Sequence, residues 1–415
     1  MPLDNDFSFA EVSRKLAVSS RTLNGPSFSM PRHTILFFDH TAQWSGGEIS
    51  LFNLVTHLNQ TKYRPVVVLF ADGALREKLD EAGIATRVVA LDESVSQTRK
   101  DEMGARSLLK LKQIGAIWRF IRRLRRVIRG EGAQVVHCNS LKSDLIGGIA
   151  ARLAGVPVIW HVRDRIADDY LPSPIVKAFR LAARLIPTRV IAVSGATLLT
   201  LPNVRGVAIH NGTVFQNFDD LQSRLPFAGG APTFGIVGRL TRWKGQHVFL
   251  RAAAIVRVQV PDAKFQIVGA ALFGEENYER ELRALATELG LSEAVEWLGF
   301  RRDVPQVVAR MDALVHASTT GEPFGQVLIE GMAASRPVIA TEGGGVPEIV
   351  LDGETGLLVA MGEVEPLADA MLRLWRDPER ARMMGGLGRL RVQSEFTIEA
   401  TARRVERVWE ELIAP

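Results

Sequence analysis

The stretch DALVHASTTGEPFGQVLIEGMAASRPVIATEGGGVPEIV (312–350) decides the fold. DALVHAS reads as a short apolar strand, and RPVIAT (336–341) reads as another. Between them Pro323 disfavours helical backbone at Glu322, so a helix is expected from about Gly325 to Ala334. That helix carries Val327, Leu328, Ile329, Met332, Ala333 and Ala334, is apolar nearly all round, and should be buried. Strand, helix and strand in this order make a parallel unit, and a helix that starts at the carboxyl end of a parallel strand presents free N–H groups to an anion.

The same rhythm runs outward in both directions. After Pro232 come TFGIVG, KFQIVG, AVEWLG and, beyond the central stretch, GLLVA, with helical segments between. Before it, from His33 onward, come HTILFF (33–38), PVVVLF (65–70), ATRVVA (85–90), AQVVHC (133–138), PVIWHV (157–162) and RVIAVS (189–194). Apolar runs alternating with amphipathic helices indicate parallel sheets covered on both faces, here two doubly wound α/β halves in tandem. The 415 residues exceed the roughly 250–300 at which one core stops growing. Residues 31–210 are read as the first domain and 211–395 as the second, with the seam in the polar, Gly- and Pro-rich 207–232. A closing helix, 396–415, has the option of crossing back onto the first half. Residues 1–30 are polar and Ser-rich, lack the apolar core of a secretory leader, and are expected to be poorly ordered, with Met30 an alternative start.

Composition narrows the class. Hydrophobic residues make up 47% and charged residues 23%, which excludes collagen-like, coiled-coil and wholly disordered chains. Net charge is +5, suited to an acidic ligand or an anionic surface. A single cysteine, Cys138, leaves no internal disulfide and points to a reducing compartment, read as cytoplasmic. No window of about 18 residues is apolar enough to span a membrane.

Four groups of residues carry chemistry. Glu322 precedes the central helix and Glu330 sits within it; taken singly either reads as a structural carboxylate, but the block as a whole points to a ligand. In FGIVGRLTRWKGQHVFL (234–250), Arg239 and Lys244 flank a short turn after a strand and could grip a diphosphate; two surface cations in a turn is the plain alternative. Neither a P-loop nor the G-x-G-x-x-G dinucleotide fingerprint is present, although Gly46 and Gly47 read as a glycine turn after the first strand that permits close backbone approach to a phosphate, with Glu48 beginning the helix. His137 and His161 end strands of the first half; His161 with Arg163 and Asp164 makes a donor–cation–carboxylate group that could face the cleft, and His137, Asn139, Arg163 and Asp164 are the candidate acceptor-side residues, a lone strand-end histidine being more often structural. Finally, KLKQIGAIWRFIRRLRRVIRGEG (110–132) is a basic amphipathic helix. It fits an anionic membrane surface through 110–129, or a core-facing helix with a solvated basic back. No nucleic-acid motif accompanies it, so nucleic acid is not an expected partner.

Glu322-Pro-Phe-Gly followed by Glu330, then PVIAT and GGVPE, together with VGRLTRWKG, IHNGT and SGGE, resembles the retaining glycosyltransferases of family 4, with GT-B fold. The resemblance covers about 31–395; Gly331-Met332-Ala333 departs slightly from the family's usual small residue after the second Glu. It implies two Rossmann-like doubly wound domains facing across a cleft. It implies that Arg239 and Lys244 hold the donor diphosphate, Glu322 binds hydroxyls of the transferred sugar beside the N–H groups of Phe324 and Gly325, and Glu330 takes the ribose. It further places Gly47 against the phosphates, His161 beside the reacting sugar and Arg301 near the base. A nucleotide-diphosphate sugar is then the donor, a glycan or lipid-linked glycan the acceptor, and no metal or other cofactor is expected, since the one D-x-D-like string, Asp4-Asn5-Asp6, lies in the tail. A GT-B epimerase, a non-catalytic GT-B-like binding protein and a doubly wound oxidoreductase are the competing readings, the last opposed by the missing fingerprint.

Overall fold

A computed structural model describes residues 32–91, 111–219, 221, 224–272 and 274–414. The expected tail at 1–30 lies outside the described residues. Two wholly parallel sheets organise the chain. The first contains β1 (His33–Asp39), β2 (Tyr63–Leu69), β3 (Ala85–Val88), β4 (Val135–Cys138), β5 (Val158–Val162), β6 (Arg189–Ala192) and β7 (Gly206–Ala208), in the order β3-β2-β1-β4-β5-β6-β7. The second contains β8 (Thr233–Val237), β9 (Lys264–Val268), β10 (Val295–Gly299), β11 (Ala313–His316), β12 (Val338–Thr341) and β13 (Gly356–Val359), in the order β10-β9-β8-β11-β12-β13.

Helices α1 (Gly46–Thr56), α2 (Ala74–Glu81), α3 (Leu111–Gly130), α4 (Leu141–Ala154), α5 (Ser173–Leu185) and α6 (Gly195–Leu199) alternate with the strands of the first sheet. Around the second lie α7 (Gln246–Gln259), α8 (Glu276–Glu288), α9 (Val304–Val308), α10 (Gln326–Ala333), α11 (Val346–Ile349), α12 (Val364–Arg376) and α13 (Pro378–Glu395). Strand side chains alternate between faces, so each sheet feeds two cores: Leu36, Phe38 and Trp160 face α3 to α5, while Ile35, Phe37 and Ile159 face α1. The last helix, α14 (Ile398–Ile413), leaves the second sheet and seals that latter core with Ala402, Val405, Val408 and Trp409. Its crossing is pinned by Thr213 N–H to Phe396 O at 2.9 Å and Ile398 N–H to Thr213 O at 2.9 Å. Gly212 permits this approach, because a Cβ there would meet the Thr397 backbone at 2.5 Å.

The basic helix α3 divides its apolar stripe. Phe120, Ile121, Leu124 and Ile128 are buried, whereas Trp118 is 49% exposed and Ile114 39% exposed. Strand β7, three residues at the sheet edge, is an addition to the strands read from sequence; Gly-Val-Ala carries too little β-branched signal to be seen. Strand order reverses between β1 and β4 in one sheet and between β8 and β11 in the other, and crevices at such reversals are where doubly wound sheets bind ligands.

Candidate active site at the facing sheet edges

Both reversal points carry polar side chains, and they face one another. In the second half, β8 ends at Val237 and the chain turns through a 3-10 helix at Arg242–Lys244 before α7. Gly245 lets this turn touch the β11 loop: its φ is +71°, and a Cβ would lie 1.8 Å from Ala317 O. Thr319 N–H donates to Trp243 O at 2.8 Å, locking the two loops together. Lys244 Nζ therefore reaches Glu322 Oε2 at 2.7 Å, in a site where their side chains are only 18% and 10% exposed. His316 Nε2 and Ser318 Oγ lie 3.1 Å from the same Oε2, so that these three bonds converge on one oxygen. Burial pushes the Glu322 carboxyl up, but the Lys244 charge and the His316 bond outweigh it and hold the group well below the usual carboxylate range. The loop beyond β12 buttresses Glu322 from behind, with Gly345 N–H on Glu322 O at 2.8 Å.

Helix α10 begins at Gln326, as the Glu322-Pro323 step requires, with Gly325 at φ +116° just before it. Phe324 is buried and stacks on His210 at 5.8 Å between ring centroids. Glu330 projects from α10 with its carboxyl raised to about 7 by burial, Gln326 pulling the other way. The Arg239 backbone is fixed by Gln246, whose side-chain amide donates to Arg239 O at 2.9 Å. Arg301, after β10, forms a bidentate pair with Asp303 at 2.8 and 2.6 Å on the exposed rim.

In the first half, Gly46 and Gly47 open α1. A Cβ on Gly46 would meet nothing within 4 Å, and one on Gly47 only Arg163 Cδ at 3.8 Å, so the fold itself does not demand glycine at either position. The open space lies at a helix N-terminus, where free N–H groups favour an anion. Behind it runs a buried network: Asn139 donates to Asp39 Oδ2 at 2.7 Å, while Arg163 donates to Asn139 Oδ1 and to Asn211 Oδ1, each at 2.7 Å. Burial lowers Arg163 to about 10, with Asp39 and Glu48 raising it in part. Glu48, bonded to Ser45, is raised by burial and by Asp39.

The halves meet through their loops. Arg165 Nη1 donates to Gly321 O at 3.1 Å and Ser194 Oγ to Pro323 O at 2.6 Å. Glu348 accepts from the N–H groups of Gly195 and Ala196 at 2.8 Å each and lies 2.7 Å from His210 Nε2.

The other candidates read from the sequence take the following places. His137 and His161 lie next to the carboxyl ends of β4 and β5, as expected, but both side chains are buried rather than exposed. Arg163 donates to Asn139 and Asn211 and approaches His161 Nδ1 at 3.5 Å, and Asp164, which accepts from Tyr170 Oη at 2.6 Å, is among the carboxylates that raise Arg163. Conversely, His316, Ser318, Asp39, Asn211, His210 and Glu348 contribute without having been singled out. Among the described residues no three His, Cys, Asp or Glu side chains are grouped to hold a metal ion.

Comparison with known proteins agrees with this geometry. A model of group 1 glycosyl transferases matches residues 217–391, and a model of glycosyltransferase family 4 matches residues 44–222. Among curated relatives, the GDP-mannose-dependent monoacylated alpha-(1-6)-phosphatidylinositol monomannoside mannosyltransferase of Corynebacterium glutamicum is 33% identical over 195 residues, 45% of this chain and 49% of that protein. The lipopolysaccharide core biosynthesis mannosyltransferase LpsB of Rhizobium meliloti is 27% identical over 61% of this chain and 80% of its own. The chain matches about half the length of several such relatives, 41%, 45% and 49% in three cases. Anabaena HepE, solved with UDP and glucose, superposes with a TM-score of 0.77 at 26% identity, covering 90% of this chain and 98% of HepE. With one family model on each half and a shared two-sheet architecture, the chain belongs to the family-4-like glycosyltransferases of GT-B fold.

Proposed function

We propose that the protein is a retaining glycosyltransferase that moves a hexosyl group from a nucleotide-diphosphate sugar, with UDP or GDP as the nucleotide, to a lipid-linked glycan acceptor in surface polysaccharide or glycoconjugate assembly. The observation that carries the reading is the convergence of Lys244, Glu322 and the α10 N-terminus at one reversal point, with an open glycine N-terminus of α1 at the reversal point of the other sheet. HepE, with its bound UDP, supports the uridine donor; the mannosyltransferase relatives, one of them GDP-mannose-dependent, support the guanosine alternative.

Departure of a nucleoside diphosphate puts negative charge on phosphate oxygens, and preorganised donors stabilise it best where water is excluded. Lys244, drawn from Glu322 to the diphosphate, and Arg239 supply that charge, with the N–H groups of Gly46 and Gly47 closing from the other half. Glu322, still held by His316 and Ser318, keeps Oε1 for a sugar hydroxyl. Glu330 accepts from the ribose hydroxyls. The acceptor hydroxyl attacks the anomeric carbon on the face the diphosphate leaves, the bond to the phosphate oxygen breaks, and that oxygen takes the acceptor's proton; no protein nucleophile and no metal enter. Trp118 and Ile114, exposed beside the arginines of α3, suit an anionic membrane carrying the acceptor.

The test is thermal unfolding with UDP, GDP, ADP and NAD, followed by NMR of the glycosylated product. A ligand at a hundred times its Kd adds about 2.7 kcal/mol, a shift of about 5 °C. We expect a shift with UDP or GDP that Glu330→Ala abolishes, a product of retained anomeric configuration, and turnover that persists in EDTA. Inversion, or a shift with NAD alone, would overturn the reading.

A further inference from the structure

Three buried side chains outside the motif residues form a directed chain of hydrogen bonds. Trp409 on α14 is wholly buried, and its indole Nε1 lies 3.2 Å from His137 Nδ1. An indole N–H only donates, so His137 Nδ1 accepts and the ring carries its proton on Nε2. His137 Nε2 is 3.0 Å from His161 Nδ1, to which it therefore donates. The guanidinium of Arg163, also donor only, approaches the same Nδ1 at 3.5 Å. With Nδ1 accepting, the proton of His161 resides on Nε2, a buried atom that makes no hydrogen bond among the described residues. Both rings are neutral: burial lowers His137 to about 3, and burial with Arg163 beside it takes His161 well below its ordinary value.

We infer that Trp409 and His137 are positioning residues that fix the tautomer of His161, so that its Nε2 presents a hydrogen-bond donor and not a base. The partner that such a group fits is a lone pair on oxygen, a sugar hydroxyl or ether; that step rests on the function proposed above, whereas the tautomer does not. Because Trp409 belongs to the helix that crosses back from the second sheet, docking of α14 determines which proton the first-half histidine offers.

The experiment is two-bond 15N–1H correlation NMR on the full chain labelled at histidine, with the rings assigned through His137→Gln and His161→Gln. The expected result is an Nε2–H tautomer at both rings in the unsubstituted protein. Trp409→Phe keeps the ring packing and removes the donor; His137 and His161 should then lose their single tautomers while the other histidine signals stay in place. An Nδ1–H tautomer at either ring of the unsubstituted protein, or unchanged His161 signals in Trp409→Phe, would overturn the inference. UDP-glucose and GDP-mannose provide a separate arm: a shifted His161 Nε2–H signal supports the oxygen partner, and silence from both counts against the proposed donor while the relay stands on its tautomers.

Discussion

Glu330 stands on α10 among Leu328, Ile329 and Met332, all buried, and its carboxyl is raised by that burial from 4.5 to about 7. The folded protein thus keeps a proton that the unfolded chain gives up at lower pH. Stability contributed by this group is complete below about pH 4.5 and falls as pH rises towards 7. Glu330→Gln, which cannot ionise, should match the ligand-free parent near pH 4 and exceed it by about 1–3 kcal/mol at pH 8. Urea unfolding at the two pH values measures the gap; a gap that does not change with pH would sink the argument. The same substitution should weaken nucleotide binding, so stability and affinity move in opposite directions, as expected where a buried carboxylate is retained for a ligand. At this scale part was legible: Glu322, Arg239 and Lys244 stand out because loops that follow strands carry them, and Glu330 because it is a carboxylate within an apolar helix. His316 and Ser318 were not, since nothing in a strand's alternation says which buried polar side chain meets which carboxylate. The Asp39–Asn139–Arg163–Asn211 network was hidden for a similar reason, its members being up to 172 positions apart.

The short helix α6 shows how an element can depend on a distant part of the chain. Its five residues, Gly195–Leu199, are too few to hold a helix alone, and its first N–H groups are satisfied by Glu348 from beyond β12, with Ser194 Oγ accepting from Thr197 N–H. Burial raises the Glu348 carboxyl, but His210 and the two N–H groups outweigh it and the net shift is downward. A lowered carboxyl contributes stability above its unfolded value of 4.5 and loses it as pH falls through the folded value. Glu348→Gln should therefore cost about 1–2 kcal/mol at pH 7 and progressively less below pH 4.5. Because the contact joins the two halves, the loss should appear as earlier thermal unfolding and as faster proteolysis of the 207–232 connection. An unchanged unfolding midpoint at pH 7 would show that the cap contributes nothing. Long elements were readable from periodicity, as with α7 or β2; α6, α11 and β7 were not, because contacts from elsewhere, rather than local propensity, define them.

At the scale of the whole molecule, alternating apolar runs disclose two parallel sheets, but they cannot say how a last helix travels. α14 has an ordinary amphipathic pattern, and only its neighbours show that the pattern faces Phe37, Tyr63 and Ile159 of the opposite half. The basic helix α3 poses the reverse case: its pattern offered a core face or a membrane face, and the structure uses part of it for the core. Phe120, Ile121, Leu124 and Ile128 anchor the helix, leaving Ile114 and Trp118 outside, with Arg119, Arg122, Arg126 and Arg129 also exposed. Among the described residues no helix is long and apolar enough to cross a membrane, so contact with a lipid-linked acceptor would be made from the surface. Each arginine near an anionic surface contributes about 1 kcal/mol, and an interfacial tryptophan adds apolar burial. The protein should cosediment with phosphatidylglycerol vesicles at low salt, less so as salt rises, and not with phosphatidylcholine vesicles. Replacing Arg119, Arg122, Arg126 and Arg129 by Gln removes up to about 4 kcal/mol of attraction and should weaken that binding a hundredfold or more. Thermal stability and turnover of a soluble acceptor should be unaffected, since these side chains are exposed and take no part in the core. Vesicle binding equal to that of the parent would leave α3 as a core helix with a solvated basic back, and would remove the physical reason for placing the acceptor in a membrane.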